Sequence, residues 1–200
     1  DELKENLSIA FVLMLTVCLV NGDELSEEHA YILMHNMGRL FYHISEKEDM
    51  PQLRKQAQEL YREVLQMEFV KRDKLKFALV NGNLGMAYQC DCAEGTENLE
   101  KALSHYELAV NIYKGLGIYG SKHSILNLQL NMAEVYSQLY QRTEKEEHFA
   151  KAERLLNSME KQVDAMPYNS LYLRIKLSLM QLYYRRIRFE EEEIEREKWI

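Results

Sequence analysis

Residues 83–89, Asn-Leu-Gly-Met-Ala-Tyr-Gln, set a glycine inside a run that otherwise reads as helix. A helix-interior glycine costs about 1 kcal/mol relative to alanine, and this chain of 200 residues holds only eight glycines. The signature recurs: residues 36–42 read NMGRLFY, 131–137 read NMAEVYS and 178–184 read SLMQLYY. Each copy has Asn or Ser, then Leu or Met, then usually a small residue, with an aromatic three positions later. The third residues are Gly38, Gly85, Ala133 and Met180, spaced by 47, 48 and 47. Self-similarity at so even a period is the mark of a repeat array.

A second amphipathic run follows the first three copies. Ala57, Tyr61 and Val64 lie on one face of Leu53 to Met67; Ala102, Tyr106 and Ala109 on one face of Leu99 to Tyr113; Ala152, Leu156 and Met159 on one face of Phe149 to Val163. The spacing of four then three is the stripe by which a helix packs on a neighbour. Between the two runs stand the polar stretches SEKEDMPQ, CDCAEGTE and YQRTEKEE, which read as loops. Each repeat is therefore expected to be a helix, a loop and a second helix. The small third residue then has a purpose: it lets the two helices approach closely. On this reading Gly85→Leu overpacks the seam and costs about 1–3 kcal/mol.

Composition agrees. Good helix formers are abundant and only two prolines interrupt them, which predicts an almost all-α chain. The net charge of −7 provides no basic face for phosphates and argues against nucleic acid. Three cysteines, Cys18, Cys90 and Cys92, are too few for a disulfide framework and suggest a reducing, cytoplasmic setting. Leu7 to Val20 is an apolar run of 14 residues, shorter than the roughly 20 that a membrane helix needs. The preceding DELKEN is acidic, whereas a secretory leader starts positive. Shifting Ala57, Tyr61 and Val64 back by 47 lands on Ala10, Met14 and Val17, so the run is expected to be the second helix of a preceding repeat, with a leader or anchor as the alternative.

Small-x-x-aromatic on a first helix, followed by Ala-x3-Tyr-x2-Ala on a second, resembles the tetratricopeptide repeat. Gly85-Met86-Ala87-Tyr88 with Ala102, Tyr106 and Ala109 matches best, and GSKHSILNLQLNMAEVY (120–136) is similar to the longer repeats of kinesin light chains. The resemblance covers residues 26–185 and implies a right-handed α-solenoid of antiparallel helix pairs. The expected organisation is one repeat domain over 1–200. Residues 1–22 would hold a preceding or packing helix, and the repeats would span 26–70, 74–115, 122–164 and an incomplete 168–200. Two departures stand out. The period is about 47 instead of the family's 34, expected to come from longer loops, and Met180 takes a small residue's place.

Chemistry is hard to find. The chain has no nucleophile motif, no Gly-rich phosphate loop and no His-Glu-x-x-His, so no enzyme, metal or cofactor is expected. His35 and His43 lack a third ligand, and Cys90-Asp91-Cys92 lacks the second pair of a structural zinc site. Asn36, Asn83 and Asn131 recur at one position, and a side-chain amide both donates to and accepts from a peptide backbone. In peptide-binding tetratricopeptide proteins such asparagines form an inner ladder, and the resemblance implies one here, against the alternative that they bond within the fold. By the same correspondence Arg39, Tyr42, Met86, Gln89, Asn127, Glu134, Gln138, Arg174, Gln181 and Tyr184 would line the groove, with His35, Gly82, Leu130 and Arg185. The expected function is a protein-interaction module for an extended peptide or short helix. A peptide-sensing domain of a regulator and a purely structural scaffold are the alternatives. A longer multi-repeat chain or a homo-oligomer is consistent with either, and no membrane partner is expected.

Overall fold

A computed structural model describes residues 26–91, 95–117, 121–163 and 170–197, and these hold eight α-helices and no strand. The apolar run 7–20, Cys92 and the C-terminal Trp199 lie outside the described residues. Two compact units divide the chain, residues 1–93 and 94–200. Among the described residues, no helix is long and apolar enough to cross a membrane.

The N-terminal unit contains α1 (Glu27–Glu48), α2 (Pro51–Gln66), α3 (Glu68–Arg72) and α4 (Lys74–Cys90). Local chemistry sets the boundaries. The Ser26 hydroxyl accepts from the His29 amide at 3.3 Å and caps α1. Asp49 ends α1 in the left-handed region at φ 47°, which an aspartate tolerates better than most residues. Pro51 then opens α2, where its missing N–H costs nothing. Asp73 caps α4, its carboxylate accepting from the amides of Leu75 and Lys76 at 3.0 and 3.1 Å.

The C-terminal unit contains α5 (Glu97–Leu116), α6 (Ser121–Thr143), α7 (Glu146–Glu160) and α8 (Ser170–Glu197). Gly117 closes α5 at φ 61°, and Glu144 turns the chain between α6 and α7 at φ 55°. The core of this unit gathers Leu130, Ala133, Phe149, Leu156, Ile175 and Leu182, none more than 2% exposed.

The loops are shorter than the sequence suggested. Only Asp49 and Met50 separate α1 from α2, and only Glu144 and Lys145 separate α6 from α7. Glutamate, lysine, glutamine and arginine are good helix formers, so Ser45–Glu48 and Gln141–Thr143 continue their helices until a left-handed residue stops them. Where the first and third loops were expected, the long period comes from long helices, 22 residues in α1 and 23 in α6. The one-turn α3 was not expected either. Its Phe69 amide donates to the Glu27 carboxylate of α1 at 3.0 Å, a cap supplied from another helix.

The side chains expected on the second-helix stripes are buried. Ala57, Tyr61, Val64, Ala102, Tyr106, Ala109, Ala152, Leu156 and Met159 are each at most 1% exposed. α1 reverses into α2 and packs along it, as α6 does with α7, so each pair is antiparallel. A Cβ at Gly38 would lie 2.8 Å from Tyr61 Cε1, so the glycine admits the ring of the second helix. Gly85 is buried in α4, and Ala133 is fully buried. Met180, the departure from the pattern, is 61% exposed, so nothing there demands a small side chain.

Within each unit, first helices also meet: α1 touches α4 and α6 touches α8. The contacts repeat the sequence period. Asn83 bonds His35, Cys90 bonds Tyr42, Arg174 bonds Asn127 and Arg185 bonds Ser137, at separations of 48, 48, 47 and 48 residues. Arg54 of α2 closes the end of the N-terminal unit. Its guanidinium donates to the Ser45 carbonyl at 3.4 Å and the Cys90 carbonyl at 3.2 Å, and pairs with Asp49. It thereby serves the C-termini of both α1 and α4, where carbonyls lack helical partners.

Candidate binding cleft

In the C-terminal unit, α6, α7 and α8 leave a cleft of about 160 Å³. Ala133, Glu134, Ser137 and Gln138 come from α6, Leu156 from α7, and Ser178, Gln181 and Arg185 from α8. The spacing explains the gathering. Residues 134 and 138 are one turn apart on α6, as are 181 and 185 on α8, so each helix turns one edge inward. Small residues at 133 and 178 keep the floor open, and buried Leu156 forms its apolar base.

Arg185 dominates the electrostatics. It is half-buried, and burial lowers its pKa while the charge of Glu134 opposes that shift. Its Nη1 donates to the Ser137 hydroxyl. A guanidinium carries five N–H donors, so this bond orients the group and leaves capacity for a carbonyl or carboxylate. Above it on the same helix pair, Arg174 donates to Asn127 Oδ1 at 3.2 Å, while Asn127 Nδ2 donates to the His123 carbonyl at 3.1 Å.

Of the residues expected to line a groove, Glu134, Gln138, Gln181 and Arg185 come together here. Asn127 and Arg174 pair with each other on α6 and α8, Asn131 is half-buried on α6, and Tyr184 is 61% exposed outside the cleft. Leu130 is buried in the core. Sequence reasoning missed Ser137. It stands four residues after Ala133 as Tyr42 stands four after Gly38, and both side chains bond the next first helix, so the repeat itself held the signal.

In the N-terminal unit, Asn36 and Arg39 are exposed on α1, and Met86 and Gln89 are half-buried on α4. His35, Tyr42 and Gly82 are buried. Tyr42 receives the Cys90 thiol at 3.5 Å, and burial, with Cys90 and Glu46 nearby, drives its pKa upward. Asn83 donates to His35 Nε2 at 2.8 Å, so at least one of its donors serves the α1–α4 seam. His35 stacks on Tyr31 with ring centroids 5.4 Å apart and tilts against Tyr61 at 6.0 Å. Among the described residues, no group of three or more His, Cys, Asp or Glu is arranged to hold a metal.

No family model matches the chain, and no curated protein matches it. Among solved structures, it is similar to a de novo designed helical repeat protein, DHR64, at 18% identity and a TM-score of 0.36, covering 96% of this chain and 97% of that one. It is also similar to the DHF79 filament, at 17% identity and a TM-score of 0.36, covering 90% of this chain and 99% of the other.

Proposed function

We propose that the chain is a protein-interaction module of tetratricopeptide type that holds an extended peptide, with the α6–α7–α8 cleft receiving one of its side chains. The observation that carries this reading is the convergence of Glu134, Gln138, Gln181 and Arg185 on that cleft. Its volume of about 160 Å³ is below the roughly 300 Å³ at which small-molecule sites begin, and suits a single peptide side chain. Arg185, held by Ser137, would take an acidic group or a backbone carbonyl of that peptide, while Gln138 and Gln181 add amides that accept or donate. The binding needs no catalytic group.

An array of extended peptides, each with one central position varied across all residue types, tests the reading with the 200-residue chain as probe. Binding should favour Asp or Glu at one position, and that preference should vanish in Arg185→Ala. Ser178→Phe, which fills the cleft from α8, should abolish capture altogether. Retention of the same peptides by Ser178→Phe, with helicity intact, would remove the cleft from consideration.

A further inference from the structure

Glu134 and Gln138 of α6 recur 47 residues later as Gln181 and Arg185 of α8, and Asn127 recurs as Arg174. On each helix the steps are seven and four residues, about two turns and one, so each row keeps to one face. Arg174 donates to Asn127 Oδ1 at 3.2 Å and Arg185 to the Ser137 hydroxyl, so the helices are tied at both ends of the rows and run parallel there. Arg174 and Arg185 are 11 residues apart. At about 1.5 Å and 100° per residue, that is roughly 16 Å along the axis and close to three full turns, so both rise from one face. The cleft holds Arg185 and Ser178, and Arg174 stands one turn beyond Ser178.

The basic side chains of α8 differ in what holds them. Lys176 pairs with Glu160, and Arg186 with Glu146 and Glu190. Arg174 and Arg185 rest instead on neutral oxygens, the Asn127 amide and the Ser137 hydroxyl, and among the described residues neither forms an ion pair. Glu134 acts on Arg185 across the cleft through its field alone. A neutral acceptor orients a guanidinium without cancelling its charge, and leaves donors for a carboxylate.

We infer, resting on the reading of this face as a peptide groove, that its ligand is an extended segment with two acidic side chains four to six residues apart, one held by Arg185 in the cleft and the other by Arg174. An extended chain advances about 3.3 Å per residue, so it covers the roughly 16 Å between the arginines in five residues, and the flexible arginine stems absorb one residue either way. Glu134 lies between them on the facing row and opposes a third acid, so the intervening residues are neutral. Charge decides the occupant: a neutral or basic segment leaves both guanidinium groups without a counter-charge. A helical ligand would need its two acids about eleven residues apart, which sets it apart from an extended one.

Fluorescence anisotropy with the 200-residue chain reads this spacing, using labelled peptides of serine, threonine and alanine that carry two glutamates at every separation up to about twelve residues. Affinity should peak at separations of four to six and exceed that of a single-glutamate peptide about tenfold. Arg174→Gln, at an exposed position, should lower the paired peptides to the level of the single one while leaving circular dichroism unchanged. A third glutamate midway should weaken binding to the wild type and not to Glu134→Gln. A peak that survives Arg174→Gln overturns the inference, and if Ser178→Phe still abolishes that binding, the cleft reading stands without it. Binding untouched by Ser178→Phe removes the cleft as well. A peak at about eleven residues assigns a helical ligand and overturns the extended one. A flat profile, or no binding, overturns the paired acids outright.

Discussion

His35 and Asn83 are 48 residues apart in the chain and joined by a hydrogen bond of 2.8 Å, from the amide Nδ2 to the imidazole Nε2. An amide nitrogen only donates, so Nε2 accepts and the ring is neutral. Burial, and to a lesser degree the charge of Arg39, holds the pKa of His35 below its ordinary value of 6.5. The direct consequence concerns pH. The unfolded imidazole takes up a proton near 6.5, the folded one only at lower pH, so acidification favours the unfolded chain. His105 and His148 are shifted down by burial in the same sense. Stability should be full above about pH 6.5 and fall as pH drops below it. Thermal melts across that range should show the loss, with a shallower slope in His35→Gln.

Asn83→Ala should cost about 1–3 kcal/mol in urea unfolding, because it leaves the buried His35 acceptor without its donor. This substitution reports on the seam between first helices, so loss of a ligand in Asn83→Ala is interpretable only beside its melting curve. Asn36→Ala, on an exposed position, should leave stability within about 0.5 kcal/mol of wild type.

Gly38 and Gly115 make a matched pair. Alanine is the better helix former by about 1 kcal/mol. At Gly115 a Cβ meets nothing within 4 Å, so Gly115→Ala should stabilise by up to that amount. At Gly38 it meets the Tyr61 ring at 2.8 Å, and that ring is 1% exposed and packed against His35. Gly38→Ala should therefore destabilise by about 1–3 kcal/mol, and Gly38→Leu by more. Opposite signs for the two alanines, measured by chemical denaturation, are the expected result.

Arg54→Ala should cost about 1–3 kcal/mol, since it strips donors from two helix C-termini at once. The share from Asp49 is small: that carboxylate side chain is 90% exposed, and solvent screens it. Asp49→Ala should consequently be much milder than Arg54→Ala. Arg54→Lys should rescue little, because an ammonium lacks the planar fork that reaches two carbonyls in different directions.

What was legible in the sequence was the packing logic. Gly38, Ala57, Tyr61 and their equivalents announced a helix seam because a helix face is written at spacings of three and four. Contacts between successive first helices fall at that same period, Asn83 with His35 and Arg174 with Asn127, but nothing in the sequence paired them beforehand. Less legible was where helices end. Ser45–Glu48 looks like a loop by polarity, yet its propensity is helical and only the turn at Asp49 decides. The asparagine column illustrates a second limit. Composition shows that Asn83 can bond, but only the fold shows that its nearest partner is His35. The cleft was half-visible: Glu134, Gln138, Gln181 and Arg185 are expected from the sequence to face a ligand, whereas Ser137 emerges only when its place after Ala133 is matched with that of Tyr42 after Gly38.

The rungs between first helices constrain how this chain can change length. One residue added within α4 or α6 rotates everything beyond it by about 100°, which would point Cys90 away from Tyr42 or Ser137 away from Arg185. Insertions and deletions are therefore tolerable at Asp49–Met50 and Glu144–Lys145, where the backbone already reverses, and damaging inside α4 or α6. Side chains at a rung carry no such restriction: one repeat uses Tyr42 with Cys90 where another uses Ser137 with Arg185. Evolution or an engineer can thus rewrite one step of the stack at a time and leave the spacing of the others untouched.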